Sequence, residues 1–210
     1  LLLSLVLGIL FGLMATSNKK FLKGISRVYV ELIQNTPLIL QLCFLYYALA
    51  FSGKSMGILV TGTISLGVYH GAYMSEVVRA GIGSIPKGQF EAADSQGFSY
   101  VAKMYYIILP QSIKIILPPM ANQVVNLIKN TSCLYIIGGA DLISVTYSFV
   151  TGANTGGAYA PAYLVSGLLF FIVCFPLSTL ASTWENSLKK REIKTVGGRN
   201  ILGEGMAANQ

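Results

Sequence analysis

Long apolar runs interrupted by few charges constrain this chain more than any other feature of its sequence. Of its 210 residues, 53% are hydrophobic and only 11% are charged, whereas about a quarter of the residues in soluble domains are charged. A helix needs about 20 apolar residues to cross the core of a bilayer, and several runs reach or approach that length. We therefore predict an all-α integral membrane protein.

Five segments are predicted to span the membrane, at about 1–17, 26–51, 56–82, 111–137 and 162–187. They form a transmembrane domain over 1–188, and a polar tail follows over 189–210. The first run is short and begins without methionine, so we interpret it as a truncated span. A region rich in glycine and asparagine at 140–161 is expected to be an external loop. Two glycine pairs predict close helix contacts: Gly8 with Gly12, and Gly67 with Gly71.

The net charge of +7 is concentrated in two clusters that adjoin apolar runs. Such clusters mark cytoplasmic loops in membrane proteins, so we expect the N-terminus outside and the C-terminal tail in the cytoplasm. The same distribution argues against nucleic-acid binding. One histidine and scattered acids and cysteines predict neither a metal site nor a catalytic site. The clusters are Lys19, Lys20, Lys23 and Arg27, then Lys189, Lys190, Arg191 and Lys194.

A charged segment, EAADSQGFSYVAKMYYIILP over 91–110, separates the third and fourth predicted spans. It predicts a short helix over about 86–97. Ser84 can cap that helix, Pro86 suits an early position, and Gly97 suits a left-handed stop. Phe90, Ala93 and Gly97 share one face, which could lie in a groove of another protein.

The spacing of this segment resembles the EAA signature of permease subunits in bacterial ATP-binding-cassette (ABC) importers. The resemblance implies the type I importer fold, in which this helix is a cytoplasmic coupling helix that docks on an ATPase. Glu91 would orient the helix, and Ala92, Ala93 and Gly97 would make the close contact. The matching residues are Glu91, Ala92, Ala93, Gly97, Ile107, Leu109 and Pro110.

Family likeness also implies the partners and the location of the chain. It implies a second permease subunit, identical or homologous, a cytoplasmic ATPase dimer and an extracytoplasmic binding protein. ATP and Mg²⁺ would be bound by the ATPase, so this chain would be a transport subunit without its own cofactor and not an enzyme. Its location would be the bacterial inner membrane, in contact with lipid.

Polar residues inside the predicted spans are the candidates for a substrate pathway, because charges are costly in lipid. Glu31 has Arg27 one helical turn earlier, and Glu76 and Arg79 form a second such pair. Asn122, Asn126 and Lys129 share a face that we expect to point into the protein. These residues could join helices or line the passage, and for Lys129 we favour the passage. The remaining candidates are Asn35, Thr36, Asn130 and Thr131.

Three further segments resemble the polar amino acid subgroup of these permeases: YVELIQNTPLILQL, AYMSEVVRAGI and LIKNTSCLYIIG. The chain departs from the subgroup at Gln34, Asn35 and Cys133. The resemblance implies import of a polar amino acid by alternating access. The charged residues of the spans add a hypothesis: Lys129 or a neighbouring helix terminus would meet the carboxylate of the substrate, and Glu31 or Glu76 its amine or a cationic side chain. These charges favour basic or neutral polar amino acids.

Two alternatives remain on the residues alone. An ion-coupled secondary transporter or channel would use Glu31, Glu76 and Lys129 as ion sites, but such folds usually contain internal repeats, and none is convincing here. A membrane scaffold without transport activity would tolerate loss of the polar residues. Neither alternative explains the complete spacing of the 91–110 segment.

Overall fold

The chain folds into a bundle of helices. The computed structural model describes residues 1–54, 56–152 and 158–207, with side chains as far as 188, so the basic cluster predicted in the tail lies outside the described side chains. No strand occurs in these ranges. The helices are α1 (Leu2–Thr16), α2 (Lys20–Gln34), α3 (Leu38–Phe51), α4 (Ile58–Gly83), α5 (Lys87–Ser95), α6 (Tyr100–Lys103), a π-helix (Met104–Ile108), α7 (Leu109–Asn130), a 3₁₀-helix (Thr131–Ile137), α8 (Leu142–Thr151) and α9 (Tyr159–Ala207).

Helix α4 is the centre of the bundle, and it packs against α1, α2, α3 and α7. Half of its residues are buried, among them glycines and serines that let neighbouring backbones approach closely. Because α4 is surrounded by protein, it does not need the uniformly apolar surface of a lipid-facing span. Its sequence therefore carries Glu76 and Arg79 within an otherwise apolar segment.

Helices α1 and α4 run parallel and meet through both predicted glycine pairs. A side chain at Gly67 would meet Leu3, and one at Gly71 would meet Leu7. On the other helix, a Cβ at Gly8 would lie 2.5 Å from Cβ of Met74. The glycines of each helix therefore receive side chains of the other, and the predicted close contact is confirmed.

Hydrogen bonds fasten α2 to this pair of helices. Ser26 Oγ donates to the carbonyl of Phe11 at 2.7 Å, and Tyr29 OH donates to the carbonyl of Val68 at 2.6 Å. The rings of Phe11 and Tyr29 also stack, with centroids 4.1 Å apart. Such bonds are a common way to join helices where lipid removes the hydrophobic driving force.

The segment predicted as one span over 26–51 is divided between α2 and α3, which meet at 97°. Pro37 explains the break, because it lacks an N–H and disfavours helical geometry at the preceding residue. Polar side chains bond the last carbonyls of α2: Asn35 Nδ2 donates to Glu31 O at 2.7 Å, and Thr36 Oγ1 donates to Leu32 O at 2.9 Å. Gln41 Nε2 donates to Thr36 Oγ1 at 2.6 Å. Asn35 and Thr36 thus have a structural role at the bend.

Among the described residues, one helix segment is long and apolar enough to cross a membrane alone, Tyr159–Leu188. Two bent pairs raise that number to three if each pair is a single span. The other two predicted spans correspond to α1, which is short, and to α4, whose polar residues lower its hydropathy. The bundle is all-helical, as expected.

Helix α7 contains Pro118 and Pro119 in its interior. Neither proline can donate to the hydrogen-bond ladder of the helix, yet the helix continues through both. The region 140–161, expected to be a loop, contains α8. Asp141 caps α8 by accepting from the Ser144 N–H at 2.9 Å, and the hydroxyl of Thr146 bonds that of Ser166 on α9. Asp141 is a typical N-cap residue, so this start was readable from the sequence.

Candidate coupling helix and polar cavity

Helix α5 occupies the segment predicted as the coupling helix. Its N-cap is Pro86, and Ser84 instead ends α4, so the predicted capping role of Ser84 is wrong. Gly97 has a φ of 77°, as predicted for a left-handed stop. Its N–H donates to Asp94 O at 2.9 Å, and the Phe98 N–H donates to Ala93 O at 3.1 Å. This pair of bonds is a Schellman motif, which reverses the chain immediately after α5.

The two alanines of the EAA triplet lie on different sides of α5. Ala93 is 2% exposed, and Phe90 packs against the core of the chain. The face of Phe90 and Ala93, predicted to lie in a groove of another protein, therefore packs against this chain's own helices. Glu91 and Ala92 are exposed, and so is Gly97, whose Cβ position has no atom within 4 Å.

An ion pair that the sequence did not reveal ties α5 to α6. Lys103 Nζ lies 2.5 Å from Asp94 Oδ1 and 5.8 Å from the centroid of the Phe90 ring. A weaker hydrogen bond, from Gln111 Nε2 to Gln89 Oε1 at 3.3 Å, joins α5 to α7. The separation of nine positions between Asp94 and Lys103 matches no helical register, since the contact depends on the chain reversal at Gly97.

A cavity of about 520 Å³ lies between α2 and α4 and is lined by charged side chains. Arg27 Nε lies 2.7 Å from Glu31 Oε1, and Arg79 Nη2 lies 2.7 Å from Glu76 Oε2. Both pairs were predicted within their own helices, and the structure brings them to one cavity. Its polar lining is Lys23, Ser26, Arg27, Glu31, Gln34, Glu76 and Arg79.

A second cavity of about 520 Å³ shares Gln34 and Glu76 with the first and extends to α7. Tyr73, Pro119 and Gln123 also line it. Gln123 was not predicted as a site residue, although it follows the proline pair by one helical turn. The proline nitrogens cannot donate to carbonyls one turn earlier, so Pro119 makes no helical bond to the carbonyl of Ile115, another residue that lines this cavity.

The predicted polar residues of α7 lie elsewhere. Asn122 is half-buried, whereas Asn126 and Lys129 are exposed, so the face expected to point into the protein lies on the surface of this chain. The described residues that line the two cavities do not include Lys129. Asn130 Nδ2 lies 3.1 Å from His70 Nε2 in the interior, and Thr131 Oγ1 donates to Ile128 O at 2.7 Å. These contacts give Asn130 and Thr131 structural partners.

The basic loop after α1 and the coupling helix lie at the same end of the bundle. A small cavity of about 280 Å³ is lined by Asn18 from that loop and by Lys87 and Lys103 from the 86–110 region. Lys19, Lys20 and Lys23 follow Asn18 closely and are exposed. Positive charge therefore collects at one end, as expected for the cytoplasmic side of a membrane protein.

A helical bundle with apolar segments long enough to cross a membrane, a charged cavity and a surface helix at its basic end has the architecture expected of a membrane transport subunit. The family model described as "Binding-protein-dependent transport system inner membrane component" matches residues 4–190. The chain belongs to this family.

Relatives and a solved structure agree with the family. The chain is 37% identical to the "Probable glutamine ABC transporter permease protein GlnM" of Bacillus subtilis, over 89% of this chain and 85% of that protein. It is 34% identical to the "Probable glutamine ABC transporter permease protein GlnP" of the same organism, over 87% and 86%. A structure of an amino acid ABC transporter with histidines matches with a TM-score of 0.80 and 31% identity, over 88% of this chain and 85% of that one.

Family membership settles the coarse function. The chain is the permease subunit of an ABC importer in the inner membrane, a transport component rather than an enzyme. Such a subunit works with an ATPase and a substrate-binding protein. The ion-coupled alternative is therefore set aside. A methionine ABC transporter, at 16% identity and a TM-score of 0.66, shares the fold.

Proposed function

We propose that this chain forms the translocation pathway for a polar amino acid of the glutamine type and couples it to ATP hydrolysis by alternating access. The observation that carries the proposal is the cavity in which two ion pairs from different helices face one space. ATP and Mg²⁺ would bind the partner ATPase, which would dock on α5. ATP would bind one conformation of the importer more tightly than the other, and this difference in affinity would drive the change of conformation that transport requires.

The cavity suits a molecule with one positive and one negative end. The α-carboxylate of an amino acid could exchange onto Arg79, which holds carboxylates in a two-pronged geometry. Its α-ammonium could then pair with Glu76 or Glu31. When the ammonium pairs with Glu76, one internal pair is replaced by two substrate pairs, and no charge is left without a partner.

The charge of the cavity favours a neutral side chain over a basic one. Its lining has three basic and two acidic side chains, which is one net positive charge. A cationic substrate would add to that excess, whereas a carboxamide could bond the neutral groups of Gln34, Tyr73 and Gln123. Of the basic and neutral amino acids that the sequence suggests, this reasoning selects the neutral ones, in accord with the glutamine named for two relatives.

The exposed polar face of α7 supports a second permease subunit beside this one. Asn126 and Lys129 are exposed on this chain, and a lysine at membrane depth is too costly to face lipid. A pathway between two permease subunits would give Lys129 a polar environment. The orientation follows from the basic end: α5 and the C-terminus in the cytoplasm, and the start of α1 outside.

Uptake of glutamine by the importer reconstituted in proteoliposomes tests the proposal. Glu76→Gln should reduce glutamine uptake at least tenfold, because one charge-assisted bond contributes about 1.5 kcal/mol or more and about 1.4 kcal/mol is a factor of ten. Glu185→Gln, a matched change on α9, should leave uptake within about twofold. Wild-type importer should take up glutamine in preference to arginine.

The same uptake assay can distinguish the candidate residue on α2 from the candidate residue on α7. Glu31→Gln tests the cavity, and Lys129→Met tests the face of α7. If both variants retained wild-type uptake kinetics, the assigned pathway would be wrong. Preference for arginine over glutamine would overturn the substrate class while leaving the permease function intact.

A further inference from the structure

We propose that Lys103 is a positioning residue that locks the coupling helix α5 to α6, the short helix that leads into α7. The two helices α5 and α6 would then move as one body. The role of α5 in coupling rests on the proposed function. The lock itself is a property of this chain and can be measured on it alone.

The burial of Lys103 is the first part of the evidence. Its side chain is only 10% exposed, whereas its partner Asp94 is 59% exposed. A lysine ammonium taken out of water is unfavourable unless a carboxylate compensates for the lost hydration. The contact of 2.5 Å between Nζ and Oδ1 provides that compensation. Asp94 cannot move away with α5 without leaving the charge of Lys103 unpaired.

The placement of the partners on α5 is the second part. Phe90 and Asp94 are four residues apart and therefore lie on the same face of α5. Lys103 reaches both, since its Nζ is also 5.8 Å from the Phe90 ring, within the range of a cation–π contact. One side chain thus holds two successive turns of α5.

The turn between α5 and α6 fixes the position of Lys103 relative to α5. The left-handed Gly97 closes α5. Ser99 then caps α6, with its Oγ accepting from the Ala102 N–H at 3.3 Å, and Lys103 donates its own N–H to Ser99 O at 2.8 Å. Lys103 is therefore placed one helical turn after the cap, facing back toward α5.

The π-helix after Lys103 is the chain connection between the lock and α7. This π-helix, Met104–Ile108, begins at the next residue, and Pro110 cannot donate the bond that an α-helix would require there. Such π-turns interrupt the regular bonding of a helix. Along the chain, a displacement of α5 reaches α7 through this π-turn. The ion pair between Asp94 and Lys103 keeps the turn between α5 and α6 from absorbing that displacement first.

Hydrogen exchange on the purified permease in detergent tests the lock directly. In Lys103→Met, which keeps the length of the apolar stem, amide exchange across 87–97 should be at least tenfold faster than in wild type. Lys114→Met is the matched control: it removes a lysine from α7 that has no ion pair among the described residues, and exchange across 87–97 should not change. Lys103→Arg should keep most of the protection.

Transport then tests the consequence of the lock. In the reconstituted importer, Lys103→Met should hydrolyse ATP at a near wild-type rate yet import at least fivefold less substrate per ATP. If Lys103→Met does not fold, Asp94→Asn breaks the same pair at an exposed position and should give both effects. Unchanged exchange and unchanged coupling in these variants would overturn the proposal. Absence of import by the wild type would instead contradict the proposed function, and exchange would still decide the lock.

Discussion

Gly12→Ala should markedly destabilise this permease, and Gly12→Leu should leave almost no folded protein. A Cβ at position 12 would lie 2.5 Å from Cβ of Val78 and 2.9 Å from the backbone oxygen of Ser75. A backbone atom cannot rotate away, so α1 and α4 would have to separate. Overpacking of this kind costs about 1–3 kcal/mol for small insertions and more for larger ones. Thermal unfolding in detergent, followed by the monodisperse fraction, measures the change.

Gly24→Ala is the matched control for this prediction. Gly24 lies in α2, and a Cβ there would have no atom within 4 Å. Alanine is a better helix former than glycine by about 0.5–1 kcal/mol, so this variant should be as stable as wild type or slightly more stable. If Gly12→Ala and Gly24→Ala unfolded at the same temperature, the parallel contact between α1 and α4 would be wrong.

Patterns that are local to one stretch of the sequence were predictable. The left-handed Gly97 and the close contact of both glycine pairs followed from residue type and spacing alone. Even so, the spacing did not reveal that the two glycine pairs lie on helices that pack against each other, because a pattern of small residues marks a contact face without naming its partner.

The parts that could not be predicted depend on the direction of the chain in space. Helical periodicity placed Asn126 and Lys129 on one face of α7, but it could not tell whether that face points into the chain or lies on its surface. The break at Pro37 had a visible signal, yet the apolar residues on both sides favoured one continuous span. The contact of Asp94 with Lys103 required the reversal at Gly97, which no helical register describes.

The two alanines of the EAA triplet show how far a family motif determines the role of each residue. Both were expected to contact an ATPase. The structure buries Ala93 at 2% exposure and leaves Ala92 on the open side of α5. Adjacent positions in a helix point about 100° apart, so one motif can combine a residue that anchors the helix with a residue that meets a partner.

Substitution of these alanines should therefore separate folding from coupling. Ala93→Leu should lower the unfolding temperature of the isolated permease, because extra carbons in a packed site cost about 1–3 kcal/mol. Ala92→Leu should leave that temperature unchanged, yet reduce ATP-driven uptake and co-purification of the ATPase at least tenfold, because the added bulk stands on the side of α5 where we propose that the ATPase docks. Unfolding of each purified variant, followed by ATPase capture and uptake, separates the two effects. If Ala92→Leu retained full coupling, the open side of α5 would not be the docking face, and the contact would have to lie at the ends of the helix, near Lys87 or Gly97.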